Sequence, residues 1–142
     1  MSEAKTRRTR AEVRILLVND NPQDRELEYR ALIKLGYFKP SEARDGVEAL
    51  DYLGKDGQTD LVLMDTKMPR VDGIEACKEM RKQPYGQRIA IIGTSDGKRA
   101  HDWRAAGADG FFTRNYELAN PSRLDAAIQE ALKRRQNLEL VL

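Results

Sequence analysis

The stretch Leu61–Gly73 constrains the fold of this chain more than any other. It reads LVLMDTKMPRVDG, so an apolar run ends at an acid, Asp65, and is followed by Met-Pro and Asp-Gly turn pairs. A continuous apolar run between turn residues is typical of a strand buried on both faces, as in a parallel sheet covered by helices. Asp65 would then lie at the carboxyl edge of the sheet, where open α/β folds bind ligands. There it can serve as a nucleophile, a metal ligand or a general base, or it can simply cap the turn.

Composition limits the class of protein. With 142 residues, 40% hydrophobic and 34% charged, the chain is expected to form one globular domain. No apolar run approaches the roughly 20 residues of a membrane span, and the polar N-terminus lacks the apolar segment of a secretory signal. The single cysteine, Cys77, cannot form an internal disulfide, which fits a reducing compartment. We therefore expect a cytoplasmic protein without a membrane partner.

The charge distribution argues against nucleic acid as a partner. The formal net charge is only +2, and the basic residues concentrate at the two ends of the chain, in 5–10 and 133–135. A solvated tail in front and a helix C-terminus behind account for these two groups of cations.

Hydrophobic periodicity divides the chain into alternating strands and helices. Residues 1–11 are expected to be a basic, disordered leader, 12–136 a folded domain, and 137–142 a short tail. Strands are predicted at 13–18, 38–44, 60–64, 89–93 and 110–113, and helices at about 22–35, 45–53, 73–82, 97–106 and 121–136. The alternation predicts an α/β fold: a five-stranded parallel sheet, doubly wound as (βα)5, with right-handed crossovers.

Local signals place the predicted helices. Asn-Pro pairs at 21–22 and 120–121 supply an N-cap followed by proline at the first helical position. Asp72 is expected to cap the third helix, and 94–96 the fourth. On the first helix, the spacing of Leu27, Ala31 and Leu35 predicts a buried apolar line.

Polar side chains follow four of the predicted strands and should meet at one edge of the sheet. They are Asn19, Asp20, Asp65, Thr94, Ser95 and Arg114. Mg²⁺ takes oxygen ligands, usually one or two carboxylates together with phosphate oxygens. A phosphoryl group in transfer needs its oxygens neutralised by metal, cation and hydroxyl groups, and an aspartate can itself be the nucleophile.

These motifs resemble those of the receiver domains of two-component response regulators, the CheY-like fold. The resemblance covers about residues 12–136 and is carried by four segments: Val18–Pro22, Asp65–Gly73, Thr94–Ser95 and Ala106–Phe111.

The resemblance implies a role for each matching residue. Asp65 would be the phosphoacceptor, charged by a histidine kinase or phosphotransfer protein. Asp20 and Asp65 would bind Mg²⁺ directly, together with the backbone carbonyl of Lys67. Thr94 would hydrogen-bond the phosphoryl group, and its movement would be coupled to Phe111.

Two positions depart from the family pattern. Asn19 stands where the family usually has an acid, and Arg114-Asn115 stand where it usually has lysine followed by a cis-proline. A unit charge ~5 Å from a cation is worth ~3 kcal/mol per cation charge at an effective dielectric of 20. The metal should therefore bind more weakly, with the Asn19 amide oxygen accepting only from a metal-bound water. Arg114 is not equivalent to lysine, but its guanidinium can still clamp a phosphoryl group.

Four other residues have an ordinary structural interpretation. His101 is expected on the surface and Cys77 in the core. Phe111 is either plain core or a switch residue. Trp103 lies either near a partner-binding face or partly in the core.

Two functional hypotheses follow. The first is a single-domain response regulator that accepts phosphate on Asp65 and shifts between two states. Because little chain follows the fifth helix, output is expected through a protein that binds the face formed by the fourth helix, fifth strand and fifth helix, or through a homodimer. The alternative is a phosphorylation-independent pseudo-receiver that acts as a scaffold. A phosphohydrolase of related topology is disfavoured because no second acid is placed to protonate a leaving group, so we do not expect an enzyme.

Overall fold

The computed structural model describes residues 5–95, 98–113 and 120–141, except for the side chain of Asp56. In these ranges the strands are β1 (Thr6–Thr9), β2 (Ile15–Val18), β3 (Ser41–Ala43), β4 (Leu61–Asp65), β5 (Ala90–Ser95), β6 (Gly110–Thr113) and β7 (Leu138–Val141). The helices are α1 (Pro22–Leu35), α2 (Gly46–Asp56), α3 (Gly73–Lys82), α4 (Ala100–Ala105) and α5 (Pro121–Gln136). Short 3₁₀ turns occupy Arg10–Glu12 and Pro84–Gln87.

The predicted parallel sheet is confirmed. Its five strands lie in the order β3-β2-β4-β5-β6, and every neighbouring pair is parallel. The apolar run that ends at Asp65 forms the central strand β4, which is buried along its whole length between β2 and β5. Because all five strands run in one direction, their carboxyl ends open on the same edge of the sheet.

The two faces of the sheet carry separate cores, as the alternation of side chains along a strand requires. On one face, Leu17 and Leu63 pack in a cluster with Leu32 of α1 and Ile128 of α5. On the other face a second cluster holds residues of α2, α3 and α4. Its members include Val62, Met64, Leu53, Ile74, Cys77, Met80 and Trp103.

The buried face of α1 agrees only in part with the prediction. Ala31 and Leu35 are partly buried and pack against the first core cluster, but Leu27 is 56% exposed, and the fully buried residues of α1 are Glu28 and Leu32. The amide nitrogen of Asn19 donates a hydrogen bond to Glu28 Oε1 at 3.2 Å. The apolar spacing passes over an acid at a buried position, and so it did not predict Glu28.

Two helix boundaries also need correction. The second helix runs through Gly54 and ends at Gly57, whose φ of 72° gives a left-handed C-cap. The fourth helix begins only at Ala100 and its N-cap residue is Arg99, so Thr94 and Ser95 do not cap it, and Asp96 lies outside the described residues. Thr94 and Ser95 instead continue β5, because both pair with residues of neighbouring strands.

The ends of the described chain pair with each other. The expected disordered leader contains β1, which forms a two-stranded parallel sheet with β7 of the expected tail. Leu138 is 1% exposed and joins the core, while Arg8 and Arg10 bind the carboxylates of Asp60 and Asp125. The prediction of disorder is therefore wrong for residues 6–11, because distant contacts stabilise this short polar strand. That 12–136 is the functional unit stays a prediction.

Among the described residues, no helix combines the length and apolar character needed to cross a membrane.

Candidate functional site at the carboxyl edge of the sheet

Asp65 and Thr94 end the two central strands side by side. They are register partners in the β4–β5 ladder, and Asp65 is 6% exposed whereas Thr94 is fully buried. Thr94 Oγ1 donates to Asp65 Oδ1 at 3.5 Å, which is a long and weak hydrogen bond. The structure thus brings together the predicted acceptor and the hydroxyl predicted to contact its phosphoryl group.

Asn19 and Asp20 follow β2 at the same edge, beside the end of β4. The register Val18↔Met64 sets these two chain ends next to each other. Asp20 is exposed, but Asn19 is fully buried. The Asn19 side-chain oxygen accepts from the backbone N–H of Asn21 at 2.9 Å.

The amide of Asn19 is therefore engaged with protein groups on both its atoms. Its nitrogen donates to Glu28, and Arg25 donates to the Asn19 backbone carbonyl at 2.7 Å. A contact from this amide oxygen to a metal-bound water would add to the hydrogen bond it already accepts. The predicted role of Asn19 near a metal stays a prediction.

The oxygen atoms at this edge have the chemistry that Mg²⁺ needs. Asp20 and Asp65 offer carboxylates, and Lys67, which is exposed in the loop after β4, offers a backbone carbonyl. In the described part of the chain, no group of three or more His, Cys, Asp or Glu side chains is placed to hold a metal. With Asn at position 19, the described residues supply two such carboxylates at this edge, a set that fits a hydrated, weakly held cation.

The loop after β4 is tied to α2 by an ion pair that sequence reasoning missed. Arg70 has a φ of 69°, in the left-handed region that residues with a Cβ rarely adopt. Its guanidinium donates to Asp45 Oδ2 at 2.5 Å, while Asp45 Oδ1 accepts from the N–H of Glu48 and caps α2. The hydrogen bond from Arg70 holds the pKa of Asp45 below its usual range. Opposite charges 25 residues apart were the only sequence signal.

The structure places the remaining predicted residues as follows. Ser95 is buried at the end of β5, and Phe111 is half-buried against the core beneath the site. Trp103 is fully buried, which agrees with the second of its two alternatives, a place in the core. Arg114 and Asn115 lie outside the described residues.

Two predictions of ordinary structural roles are confirmed. His101 is exposed on α4. Cys77 is fully buried, and burial raises the pKa of its thiol to about 11, so it stays protonated at neutral pH.

Comparison with known proteins now decides the family. The family model for the response regulator receiver domain matches residues 15–129. This chain belongs to that family. The chemotaxis protein CheY of Halobacterium salinarum is 39% identical over 114 residues, which cover 79% of this chain and 91% of that protein. The response regulator MprA of Mycobacterium bovis is 36% identical over 107 residues, which cover 75% of this chain but only 46% of MprA.

Solved structures agree with this assignment. The chemotaxis protein CheY4 of Vibrio cholerae has a TM-score of 0.73 at 27% identity, covering 85% of this chain and 99% of that one. The receiver domain of a sensor histidine kinase from Pseudomonas aeruginosa, with a magnesium ion coordinated in its active-site cleft, has a TM-score of 0.71 at 28% identity. That match covers 88% of this chain and 98% of the other. Both neighbours confirm the CheY-like receiver fold.

Proposed function

We propose that this receiver domain accepts a phosphoryl group on Asp65 from a histidine kinase or a phosphotransfer protein. The observation that carries the proposal is the pairing of Asp65 with Thr94 at the carboxyl edge, with Asp20 on the neighbouring chain end. In this step a carboxylate oxygen of Asp65 attacks phosphorus, the P–N bond of the donor phosphohistidine breaks, and an acyl phosphate forms. The donor imidazole leaves with the bonding electrons and takes a proton.

The residues at this edge would have separate roles in phosphotransfer. Asp20, Asp65 and the carbonyl of Lys67 would hold Mg²⁺, which when bound neutralises charge on the phosphoryl oxygens. Thr94 presents a hydroxyl that can leave its long hydrogen bond to Asp65 and donate to a phosphoryl oxygen instead. Near-complete burial of Asp65 limits the access of water to the acyl phosphate.

We propose that output passes to a protein partner in the cytoplasm rather than to a small-molecule substrate. The face formed by α4, β6 and α5 is the proposed partner surface, and a homodimer through this face is one form of output. A signalling module of this kind needs no reaction beyond its own phosphorylation.

The test is a phosphotransfer assay on the full chain. Acetyl phosphate with Mg²⁺ should add one phosphoryl group, detected by intact mass, and the Asp65→Asn variant should remain unlabelled. Labelling at another residue, or no labelling by either acetyl phosphate or a panel of histidine kinases, would contradict the proposal.

A pseudo-receiver is the second candidate, and one observation favours it. Residue 19 is an asparagine where the family usually has an acid, and its amide hydrogen-bonds to Glu28 and to the backbone of Asn21. If the protein is such a scaffold, the wild type and the Asp65→Asn variant should bind the partner with the same affinity. Rapid labelling of Asp65 would exclude it.

A further inference from the structure

A second hydrogen-bonded group lies directly beneath the candidate site. Thr66, the residue after Asp65, donates from Oγ1 to the backbone carbonyl of Thr94 at 2.7 Å. The same oxygen accepts from Trp103 Nε1 at 2.9 Å. Thr66 is 2% exposed, and Thr94 and Trp103 are fully buried, so water does not compete for these bonds. One hydroxyl thus joins β5 to the α4 indole.

Two glycines make room for the indole at this place. A Cβ on Gly93 of β5 would lie 2.1 Å from Trp103 Cδ2, and a Cβ on Gly73 would lie 2.9 Å from the far edge of the same ring. The Cβ on Gly73 would also meet the Asp65 backbone oxygen at 2.0 Å. The ring is therefore held against the strand residue before Thr94 and against the start of α3, a close fit that opposes sliding of α4 along the sheet.

We propose that Thr66 is a positioning residue for the phosphoacceptor site and that it couples the state of Thr94 to Trp103. The proposal rests on the proposed function. It adds the two hydrogen bonds of Thr66 as the contacts that position Thr94 and transmit its movement to Trp103. The hydroxyl of Thr66 has a single proton, which it gives to the Thr94 carbonyl. When Thr94 moves towards a phosphoryl group, this bond must lengthen or rotate, and the bond from the indole to the same oxygen changes with it.

A purely structural role for this hydroxyl predicts something different. If Thr66 only satisfied the buried indole N–H, its loss would lower stability but leave phosphorylation and the response of the indole unchanged. The readout must therefore report on Trp103 during occupation of the site and not only on unfolding.

The experiment uses the full chain in three forms: wild type, Thr66→Val and Thr66→Ser. Valine keeps the shape of threonine and removes the hydroxyl, whereas serine keeps the hydroxyl and serves as the rescue. Beryllofluoride with Mg²⁺ is the phosphoryl mimic. Because Trp103 is the only tryptophan, its indole N–H resonance and its fluorescence report on this one position. Labelling with acetyl phosphate gives the rate of phosphorylation of each protein.

We expect wild type and Thr66→Ser to shift the indole resonance on binding beryllofluoride. Thr66→Val should bind the mimic, as judged by backbone shifts around Asp65, but lose the indole response. Its labelling by acetyl phosphate should be slower by about tenfold, the equivalent of one hydrogen bond. An unchanged indole response and an unchanged labelling rate in Thr66→Val would overturn the proposal.

Two further outcomes keep the test decisive. If wild type neither binds the mimic nor is labelled, the proposed function fails and this inference fails with it, which distinguishes that result from a failure confined to Thr66→Val. If Thr66→Val does not fold, Trp103→Phe replaces it, because phenylalanine removes the N–H and keeps an aromatic ring. Labelling slowed several-fold in Trp103→Phe supports the proposal, and a wild-type rate overturns it.

Discussion

The two edges of the sheet use their carboxylates differently. At the amino edge, Asp60 precedes β4 and is 1% exposed, and its oxygens accept from Arg8 at 2.9 Å and from Arg88 at 2.7 Å. At the carboxyl edge, at the other end of the same strand, Asp65 accepts a long hydrogen bond from the neutral hydroxyl of Thr94. One strand thus begins at an acid bound by two guanidinium groups and ends at an acid that accepts a long hydrogen bond from a neutral hydroxyl.

A second acid at the amino edge repeats this arrangement. Asp109, just before β6, accepts from Arg81 at 2.8 Å and from Arg135 at 2.9 Å. Arg81 also donates to three backbone carbonyls, and these bonds connect the C-terminal end of α3 to the segments that lead into β5 and β6. At the amino edge, arginine side chains of the same chain bind the buried carboxylates and hold neighbouring elements together. At the carboxyl edge, our proposal adds a bound Mg²⁺ beside Asp65.

The largest expected effect is a contrast in stability between the two ends of β4. Asp60→Asn should lower the free energy of unfolding by about 3 kcal/mol, because it leaves two guanidinium groups without their buried counter-charge. Asp65→Asn should change it by less than about 1 kcal/mol, since an amide oxygen can still accept from Thr94. Urea unfolding of both variants measures the difference, and equal losses would contradict the contrast.

Adding an acid at the carboxyl edge should have a smaller effect. Asn19→Asp replaces the donor to Glu28 with a second carboxylate, so without Mg²⁺ we expect a loss of about 1–3 kcal/mol in stability. With Mg²⁺ the affinity should rise by about tenfold, a discounted share of the Coulomb energy of one added charge. Isothermal titration and urea unfolding test the two parts.

A matched control separates the two contributions to Asn19→Asp. Adding Glu28→Gln removes the acid that faces the new carboxylate, so the stability in the absence of Mg²⁺ should return towards wild type. If the double variant is no more stable than Asn19→Asp alone, the contact between residues 19 and 28 does not cause the loss.

Protonation of the arginine-bound carboxylates at low pH should lower the free energy of unfolding by no more than the Asp60→Asn substitution does. Burial alone raises the pKa of Asp60, but hydrogen bonds from Arg8 and from the N–H of Arg14 outweigh it and hold the pKa below its usual range. Burial likewise raises the pKa of Asp125, and hydrogen bonds from Arg10 and Tyr37 outweigh it.

The direction of the pH dependence follows from these lowered values. A carboxylate with a lower pKa in the folded state binds fewer protons than in the unfolded chain, so its contribution is present above the unfolded value of 3.8. It is lost as the pH falls through the folded value. Urea midpoints measured from neutral pH to about pH 2 should fall, and the fall should be shallower in Asp60→Asn. A parallel fall in both proteins would argue against Asp60 as a source.

The smallest expected effect concerns the ion pair above the carboxyl edge. Arg70→Gly removes the backbone strain of a left-handed residue that has a Cβ, which should stabilise the fold by about 1 kcal/mol. It also removes the ion pair between Asp45 and the exposed Arg70 side chain, which should cost at most about 1 kcal/mol. Stability should therefore change little, while the pKa of Asp45 rises towards its usual value, as NMR titration can measure. Arg70→Asn, which tolerates the same backbone, is the control. A loss above about 2 kcal/mol would show that this ion pair has a larger structural role.

Much of the fold could be predicted from the sequence because parallel strands have a strong local signal. Continuous apolar runs located β2, β4 and β5, and cap residues located α1, α3 and α5. Glu28 and the N-terminal strand β1 were missed for one reason. A buried acid and a four-residue polar strand lack an apolar signal, and both depend on partners far along the chain or on another element.

The meeting of three predicted site residues at one edge could be predicted from the sequence, whereas their contacts could not. The alternation of strands and helices determines that Asp20, Asp65 and Thr94 reach one edge, because a helix between two strands brings the second strand back parallel to the first. Only the tertiary structure decided that Asn19 faces Glu28, that Thr66 joins Thr94 to Trp103, and that the chain ends pair. Those choices depend on which side chains fill a shared, dry interior, and no local pattern encodes that competition.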